Sequence, residues 1–220
     1  MKKLLADLAV EPRGIVYAGA HHGELLPELL DCGFAQLLLV EPSPASFTVI
    51  ERFASERIRC VRAALVDRSG PVTYYAAPER LDILSSIYEP NAAHFRRVAE
   101  RTATELRCEK LVVEGVTLDE LLASEGGAFN VLYMNIQGAE LAAVRGAAAS
   151  LHGFDVIGCE VDFVPRYDGG ALYDELAAHL AARGFRVAGR WRSEDPDNDY
   201  GTACFIPDRI ASLDARPRES

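Results

Sequence analysis

GIVYAGAHHG, residues 14–23, and QLLLVEPSP, residues 36–44, are the stretches on which the fold turns. Each is a short apolar run that ends abruptly in polar or glycine-rich residues, the pattern of a strand buried on both faces. Between them ELLPELLDCG (24–33) has helical spacing and stops at Gly33. A buried strand, a helix and a second buried strand form a parallel crossover unit, which is right-handed in nearly all proteins. In such sheets ligands lie beyond the carboxyl ends of the strands. AGAHHG (18–23) and Glu41 stand at those ends.

The alternation continues downstream. PASFTVIERFA (44–54) reads as a helix and RIRCVRAALV (57–66) as one strand. VTYYAA (72–77) reads as an added edge strand after the turn at Ser69-Gly70-Pro71. The period blurs over 78–110, a variable substrate-side insertion in which EPNAAHFRRVAERTATEL (89–106) has the start signals of a helix. KLVVEG (110–115) is ordered again, and TLDELLASEG (117–126) is a helix whose Thr117 and Glu120 have capping-box spacing. NVLYMNI (130–136) and DVIGCEVDF (155–163) are strands, and GAELAAVRGAAASL (138–151) and YDELAAHLAARGF (173–185) are helices. FRVAGRW (185–191) and TACFI (202–206) form a closing pair. The expected fold is α/β, a Rossmann-like, doubly wound and mostly parallel seven-stranded sheet with helices on both faces. No linker or repeat divides the chain, so residues 1–220 are expected to form one domain with a frayed tail over 208–220.

Composition narrows the class. The chain has 220 residues, 49% of them hydrophobic, with a net charge of −10. That charge argues against nucleic acid, which needs a basic stripe. No apolar run reaches the ~20 residues of a membrane span. MKKLLADLAVEP at the start lacks the features of a secretory signal. The five cysteines are scattered with no CxxC pair, which argues against a disulfide framework and fits a reducing, cytoplasmic setting.

Three motifs carry chemistry. Gly19 allows a tight turn at the end of the first strand and brings backbone groups close to a ligand, and Gly23 opens the next helix. The GxxxG spacing differs from the GxGxxG of dinucleotide sites. A tight turn alone would explain it equally well. Glu41 follows Gly23 at about the ~20-residue separation of a ribose-binding acid, with Pro42 and Ser43 as a ledge beneath a base. Read singly, it is a solvated loop carboxylate. Asn135 ends the NVLYMNI strand, and Gln137-Gly138 starts a helix; a capping role for Asn135 is the alternative. His21 or His22 can take a proton near neutral pH, or simply shape the loop. Ser85, Ser86 and Tyr88 line either the acceptor side or an ordinary loop. Glu160 and Asp162 read as solvated, because no HxH or clustered acid spacing supports a metal. His94, His152 and His179 read as surface residues on helices. Trp191 and SEDPDNDY (193–200) read as packing and an exposed turn.

AGAHHG, LLLVEPSPASF (37–47), AALVDRSGPVTYY (63–75), SSIYEP (85–90), VTLDELL (116–122), NVLYMNIQGAELAAVRGA (130–147) and VIGCEV (156–161) occur in the order and spacing of the FkbM-type methyltransferases. The chain resembles that family from about Ile15 to Val161, with a weaker echo in LAAHLAARGF and YGTACFI. The resemblance implies a class I methyltransferase that uses S-adenosylmethionine and methylates a hydroxyl of a small molecule, sugar or natural product. It implies cofactor contacts from Tyr17, Gly19, Ala20, His21, Gly23, Glu41, Pro42, Ser43, Ala64, Asp67 and Asn135. Gly19 would meet the amino-acid part, Glu41 the ribose, and 63–67 the adenine. His21, His22, Asn135 and Gln137 would lie beside the methyl and the acceptor. A small-molecule or saccharide acceptor is the expected partner, with no nucleic acid or membrane, and a homodimer is allowed.

Two positions depart from the family pattern. D-V-G-A-N reads Y-A-G-A-H here, placing Tyr17 where an acid is usual. I-D-V-Q-G-A-E carries Asn135 in place of aspartate. Both changes remove negative charge beside a sulfonium and leave a base to be supplied by a loop histidine, Glu140, Glu160 or water. A non-catalytic binding protein on the same fold accommodates both changes. An NAD(P) oxidoreductase shares the sheet but calls for GxGxxG.

Overall fold

The structure, a computed structural model, describes residues 1–102, 107–193 and 200–210. In chain order its strands begin with β1 (Gly14–Ala18), β2 (Gln36–Val40), β3 (Ile58–Val61) and β4 (Ala64–Leu65). β5 (Gly70–Ala76), β6 (Glu89–Pro90), β7 (Glu109–Val116) and β8 (Val131–Met134) follow. β9 (Val156–Asp162), β10 (Tyr167–Asp168), β11 (Phe185–Arg192) and β12 (Tyr200–Pro207) complete the set. The helices are α1 (Lys2–Asp7), α2 (Leu26–Asp31), α3 (Pro44–Ile50), α4 (Ala92–Thr102), α5 (Leu118–Glu125), α6 (Glu140–Arg145) and α7 (Tyr173–Ala181).

Seven strands form the central sheet in the order β11-β12-β9-β8-β1-β2-β3. β3, β2, β1, β8 and β9 run parallel, and β12 is antiparallel to both its neighbours. This is the mostly parallel α/β sheet that the sequence implies. β1 is buried along its whole length. Its residues alternate between two cores: Val16 and Ala18 pack into one, Ile15 and Tyr17 into the other. Helices on both faces bury both sides of the strand, so it reads as an unbroken apolar run.

Three expectations change. VTYYAA does not extend the main sheet: β5 pairs antiparallel with β7, and both belong to a separate three-stranded sheet, β4-β7-β5. RIRCVRAALV is two strands, since β3 ends at Val61 on the sheet edge and β4 pairs with β7 instead. The capping box at α5 is half formed. Thr117 Oγ1 accepts from the Glu120 amide at 3.2 Å, but the Glu120 carboxylate accepts from Ser69 Oγ, whose oxygen also receives the Thr117 amide. Tertiary partners outcompete the local pairing.

The 78–110 segment carries a 3-10 stretch, Glu79–Leu84, then β6 and α4. Asn91 Oδ1 accepts from the His94 amide at 3.1 Å and caps α4, the start that its sequence suggests. β6 pairs with β10, tying the segment to the loop after β9. The tail is not frayed at its beginning: Ile210 is buried, and Arg209 donates to the Phe154 carbonyl and to Asp155. Residues 211–220, and 194–199 of the acidic run, lie outside the described residues. Trp191 on β11 is 55% exposed and lays its ring over Gly189 of the same strand. His152 is exposed, while His94 and His179 are half-buried. Among the described residues no helix is long and apolar enough to cross a membrane.

Candidate active site

A cavity of about 230 Å³ opens at the carboxyl ends of β1, β2 and β8, where a doubly wound sheet binds ligands. Tyr17, Gly19, His21, Glu41, Pro42, Ala64, Asn135 and Gln137 line it. His22, Ala20, Gly23, Ser43 and Asp67 do not. Asp67 is exposed beyond the buried run Ala63–Val66, of which only Ala63, Ala64 and Leu65 reach the cavity. Ser85 and Ser86 reach it from the 78–110 segment, whereas Tyr88 does not.

Gly19 is required by packing. It has φ +73°, and a Cβ there would collide with the Asn135 carbonyl oxygen. Its amide donates to the Val40 carbonyl at 2.9 Å, and that of Ala20 donates to the same oxygen at 3.1 Å. The first two amides of the loop therefore join β1 to β2 and are not presented to a ligand, contrary to the expectation from the glycine spacing. The third amide, of His21, donates to Glu41 Oε2 at 2.8 Å.

Glu41 is buried, not solvated. Besides His21, the Ser43 amide donates to its Oε1 at 2.9 Å. Burial pushes its carboxyl above the usual range, and these two amides act in the opposite direction. Two amides hold the carboxylate in place and leave lone pairs for hydroxyl donors. Ser43 itself caps α3, accepting from the Ser46 amide.

Asn135 and Gln137 belong to a buried polar network. Gln137 has φ +54°. Its Nε2 donates to Asn135 Oδ1 at 2.6 Å and to Glu160 Oε1 at 3.0 Å. Its Oε1 accepts from Tyr167 Oη at 2.9 Å and from Arg166 Nη2 at 3.3 Å. Both ends of the amide are occupied, so Gln137 orients Asn135 and has no hydrogen left for an acceptor. Arg166 also donates to Asp162 at 2.9 Å and to Glu160 at 3.2 Å. Asp162 and Glu160 lie within β9 and are not solvated, because Arg166 folds back over the strand from four residues beyond Asp162. Burial pushes the Asp162 carboxyl up to about 6 against the pull of Arg166. Glu140 is buried, accepts from the Ile136 amide at 3.0 Å, and is pushed up to about 8 by desolvation. Neither Glu140 nor Glu160 lines the cavity.

Tyr17 and Tyr133 are partners across β1 and β8, their rings 5.7 Å apart, and both face the cavity. Burial, then Glu24, raises the Tyr17 hydroxyl well above its usual value, so it stays protonated. Tyr17 and Asn135 thus reach one cleft, as their strand positions imply. Tyr74, Tyr133, Glu24, Asp82 and Arg166 are the lining and supporting residues that motif reading misses. Tyr133 was open to detection, since it lies two residues before Asn135 and so on the same strand face. Tyr74 and Asp82 come from segments with no periodic signal for the cavity.

His21 Nδ1 lies 2.6 Å from Glu24 Oε1, and its Nε2 lies 3.1 Å from Asp82 Oδ2. Burial disfavours its charged form, but the neighbouring carboxylates of Glu24 and Asp82 outweigh that and raise its pKa. A carboxylate thus faces each ring nitrogen of His21, hydrogen-bonded at Nδ1 and without an aligned bond at Nε2.

None of the curated proteins compared matches the sequence. Among the solved structures that resemble the chain are three methyl-transferring enzymes. One is 1,6-didemethyltoxoflavin-N1-methyltransferase of Burkholderia thailandensis with S-adenosylhomocysteine (15% identity, 93% of this chain and 75% of that one, TM-score 0.47). Another is magnesium protoporphyrin IX methyltransferase of Synechocystis with S-adenosylmethionine (10%, 93% and 76%, TM-score 0.49). The third is ribosomal protein L11 methylase of Lactobacillus delbrueckii (11%, 92% and 76%, TM-score 0.48). Likenesses so remote carry nothing about the acceptor. Residues 18–187 match the family described as "Methyltransferase FkbM domain", and with that match spanning most of its length the chain belongs to the FkbM methyltransferase family.

Proposed function

We propose that this protein is an S-adenosylmethionine-dependent methyltransferase that methylates a hydroxyl group of a small molecule or saccharide. The observation that carries the cofactor reading is Glu41: a buried carboxylate at the end of β2, held by two amides and facing the cavity. It suits the two hydroxyls of a ribose. Tyr17, Gly19 and Asn135 surround the place for the methionyl end, and Ala63–Leu65 the place for the base. Methyl transfer from sulfur is an in-line displacement, so positioning supplies most of the acceleration, roughly 7–11 kcal/mol. Asn135, oriented through Gln137, fixes the acceptor without removing its proton. S-adenosylhomocysteine is expected to bind in calorimetry where NAD does not, and labelled methyl should then pass to an alcohol in a panel of sugars and natural products. NAD binding with no response to either S-adenosyl ligand would overturn the reading.

One observation favours a second reading, a cofactor-binding protein without turnover: Tyr17 and Asn135 face the cavity at the two positions where the family pattern carries acids. Tight binding of the cofactor with no transfer to any acceptor would support it.

A further inference from the structure

His21 and His22 are neighbours in sequence, and neighbouring side chains usually diverge. Here His21 takes a left-handed backbone conformation, φ +47°, and the two imidazoles stack with centroids 3.9 Å apart and planes 28° from parallel. A non-glycine residue in that region is uncommon and carries strain, and such strain gathers at functional sites. The rings are turned the same way. Nδ1 of each faces Glu24, at 2.6 Å for His21 and 4.0 Å for His22. Nε2 of each faces Oδ2 of Asp82, at 3.1 Å and 3.8 Å. Asp82 arrives from the 3-10 stretch Glu79–Leu84, far along the chain.

His21 Nε2 is buried and makes no well-aligned hydrogen bond, although Asp82 Oδ2 lies close by. Two groups face a shared space without a bond between them. Ligand atoms of the two histidines and Asp82 all lie within 4.8 Å of one another. In a tetrahedral zinc site with bonds of about 2.0–2.1 Å, neighbouring ligand atoms are about 3.3–3.4 Å apart. The observed 3.1 and 3.8 Å bracket that separation. Glu24 adds the outer partner of a carboxylate–histidine–metal arrangement: it places the His21 proton on Nδ1 and leaves the Nε2 lone pair for the ion.

We propose that His21, His22 and Asp82 hold one divalent transition-metal ion of the zinc type through the two Nε2 atoms and a carboxylate oxygen, with Glu24 orienting His21. Two imidazoles and one carboxylate suit zinc or its neighbours better than magnesium or calcium, which prefer oxygen ligands. His21 and Asp82 line the cavity, so a fourth position opens onto it. Three protein ligands with one open position are the pattern of catalytic zinc. An acceptor hydroxyl at that position would be more acidic and would release its proton to water; this role alone rests on the methyl-transfer reading.

The test begins with chelator-treated protein, titrated by calorimetry with zinc and by visible absorbance with cobalt. One ion per chain is expected, with a cobalt spectrum of low coordination number. His22→Ala and Asp82→Asn should each weaken zinc binding at least about tenfold, and Glu24→Gln by about 10–100-fold. Circular dichroism checks the fold of each variant. If a variant unfolds, imidazole nitrogen NMR of the wild type still reports metal on Nε2 of both histidines. Zinc affinity unchanged in folded variants, imidazole shifts unmoved by zinc, or no zinc binding to folded wild type would each overturn the site. S-adenosylhomocysteine affinity of the same samples separates that outcome from failure of the methyltransferase reading.

Discussion

Glu41 Oε2 accepts a 2.8 Å hydrogen bond from the backbone amide of His21, which joins the end of β2 to the loop after β1. The bond spans the crossover that defines the parallel pair and fixes the position of the carboxylate beside the cavity. It also ties the left-handed turn at His21 to the neighbouring strand. One acid therefore holds the loop and also faces the cavity.

Replacing Glu41 with alanine removes charge-assisted hydrogen bonds worth roughly 1.5–3 kcal/mol each. S-adenosylhomocysteine affinity should fall at least about tenfold, because a difference of about 1.4 kcal/mol is already a factor of ten. The His21 and Ser43 amides also lose their partner, so the melting temperature should drop as well. Calorimetry on folded protein checks the first effect, and an unchanged dissociation constant would show that Glu41 serves the loop alone.

Tyr17→Asp with Asn135→Asp restores both acids of the family pattern. The Tyr17 ring is buried against Tyr133, with Glu24 and Glu41 among the charges it senses. A carboxylate there would be buried beside like charges and would leave a void where the ring packs. The double variant should be less stable and should not bind S-adenosylmethionine more tightly. Tenfold tighter binding would identify the departures as lost function.

Glu140→Gln keeps an oxygen for the Ile136 amide and removes a buried ionisable group. The folded pKa of Glu140 is raised from 4.5 to about 8, so the folded state holds a proton that the unfolded chain releases. Wild-type stability from this group is therefore present below about 4.5 and lost as pH rises toward 8. The glutamine variant escapes that loss. Each tenfold difference in proton affinity between the folded and unfolded chain corresponds to about 1.4 kcal/mol. Urea unfolding should therefore show the variant gaining on wild type by a few kcal/mol between about pH 5 and pH 9. An equal gap at both pH values would contradict the assignment.

Arg166→Met leaves the buried Asp162 carboxylate without its cation and frees one side of Gln137. Removing one partner of a buried pair destabilises by roughly 3–5 kcal/mol. Asp162 already titrates near 6 with Arg166 in place. Without Arg166 the Asp162 carboxyl holds its proton still more tightly, so the pH-dependent part of the loss should grow as pH rises above about 6 and be absent below it. Denaturation at about pH 7.5 and pH 5 measures the difference, and a loss independent of pH would trace the effect to packing.

The sheet and the end of it that carries the cavity were legible in the chain because both rest on local signals. GIVYA and QLLLV announce fully buried strands, and the glycines and acid that follow them fall at the strand ends by connectivity alone. RIRCVRAALV was not legible as two strands, because periodicity registers apolar residues and not which sheet receives them.

By itself the sequence determined the alternation of strands and helices, the mostly parallel sheet it implies, and the positions of Glu41, Tyr17 and Asn135 at the strand ends. Only the tertiary structure decided what those ends meet. Asp82 reaches His21 from a segment without helical or strand period, and Arg166 folds back onto Glu160, Asp162 and Gln137. Tyr74 enters the cavity from the separate small sheet. Local signals follow from backbone geometry, which repeats about every two or 3.6 residues. Contacts between side chains far apart in sequence depend on how the chain returns, and no periodicity encodes that.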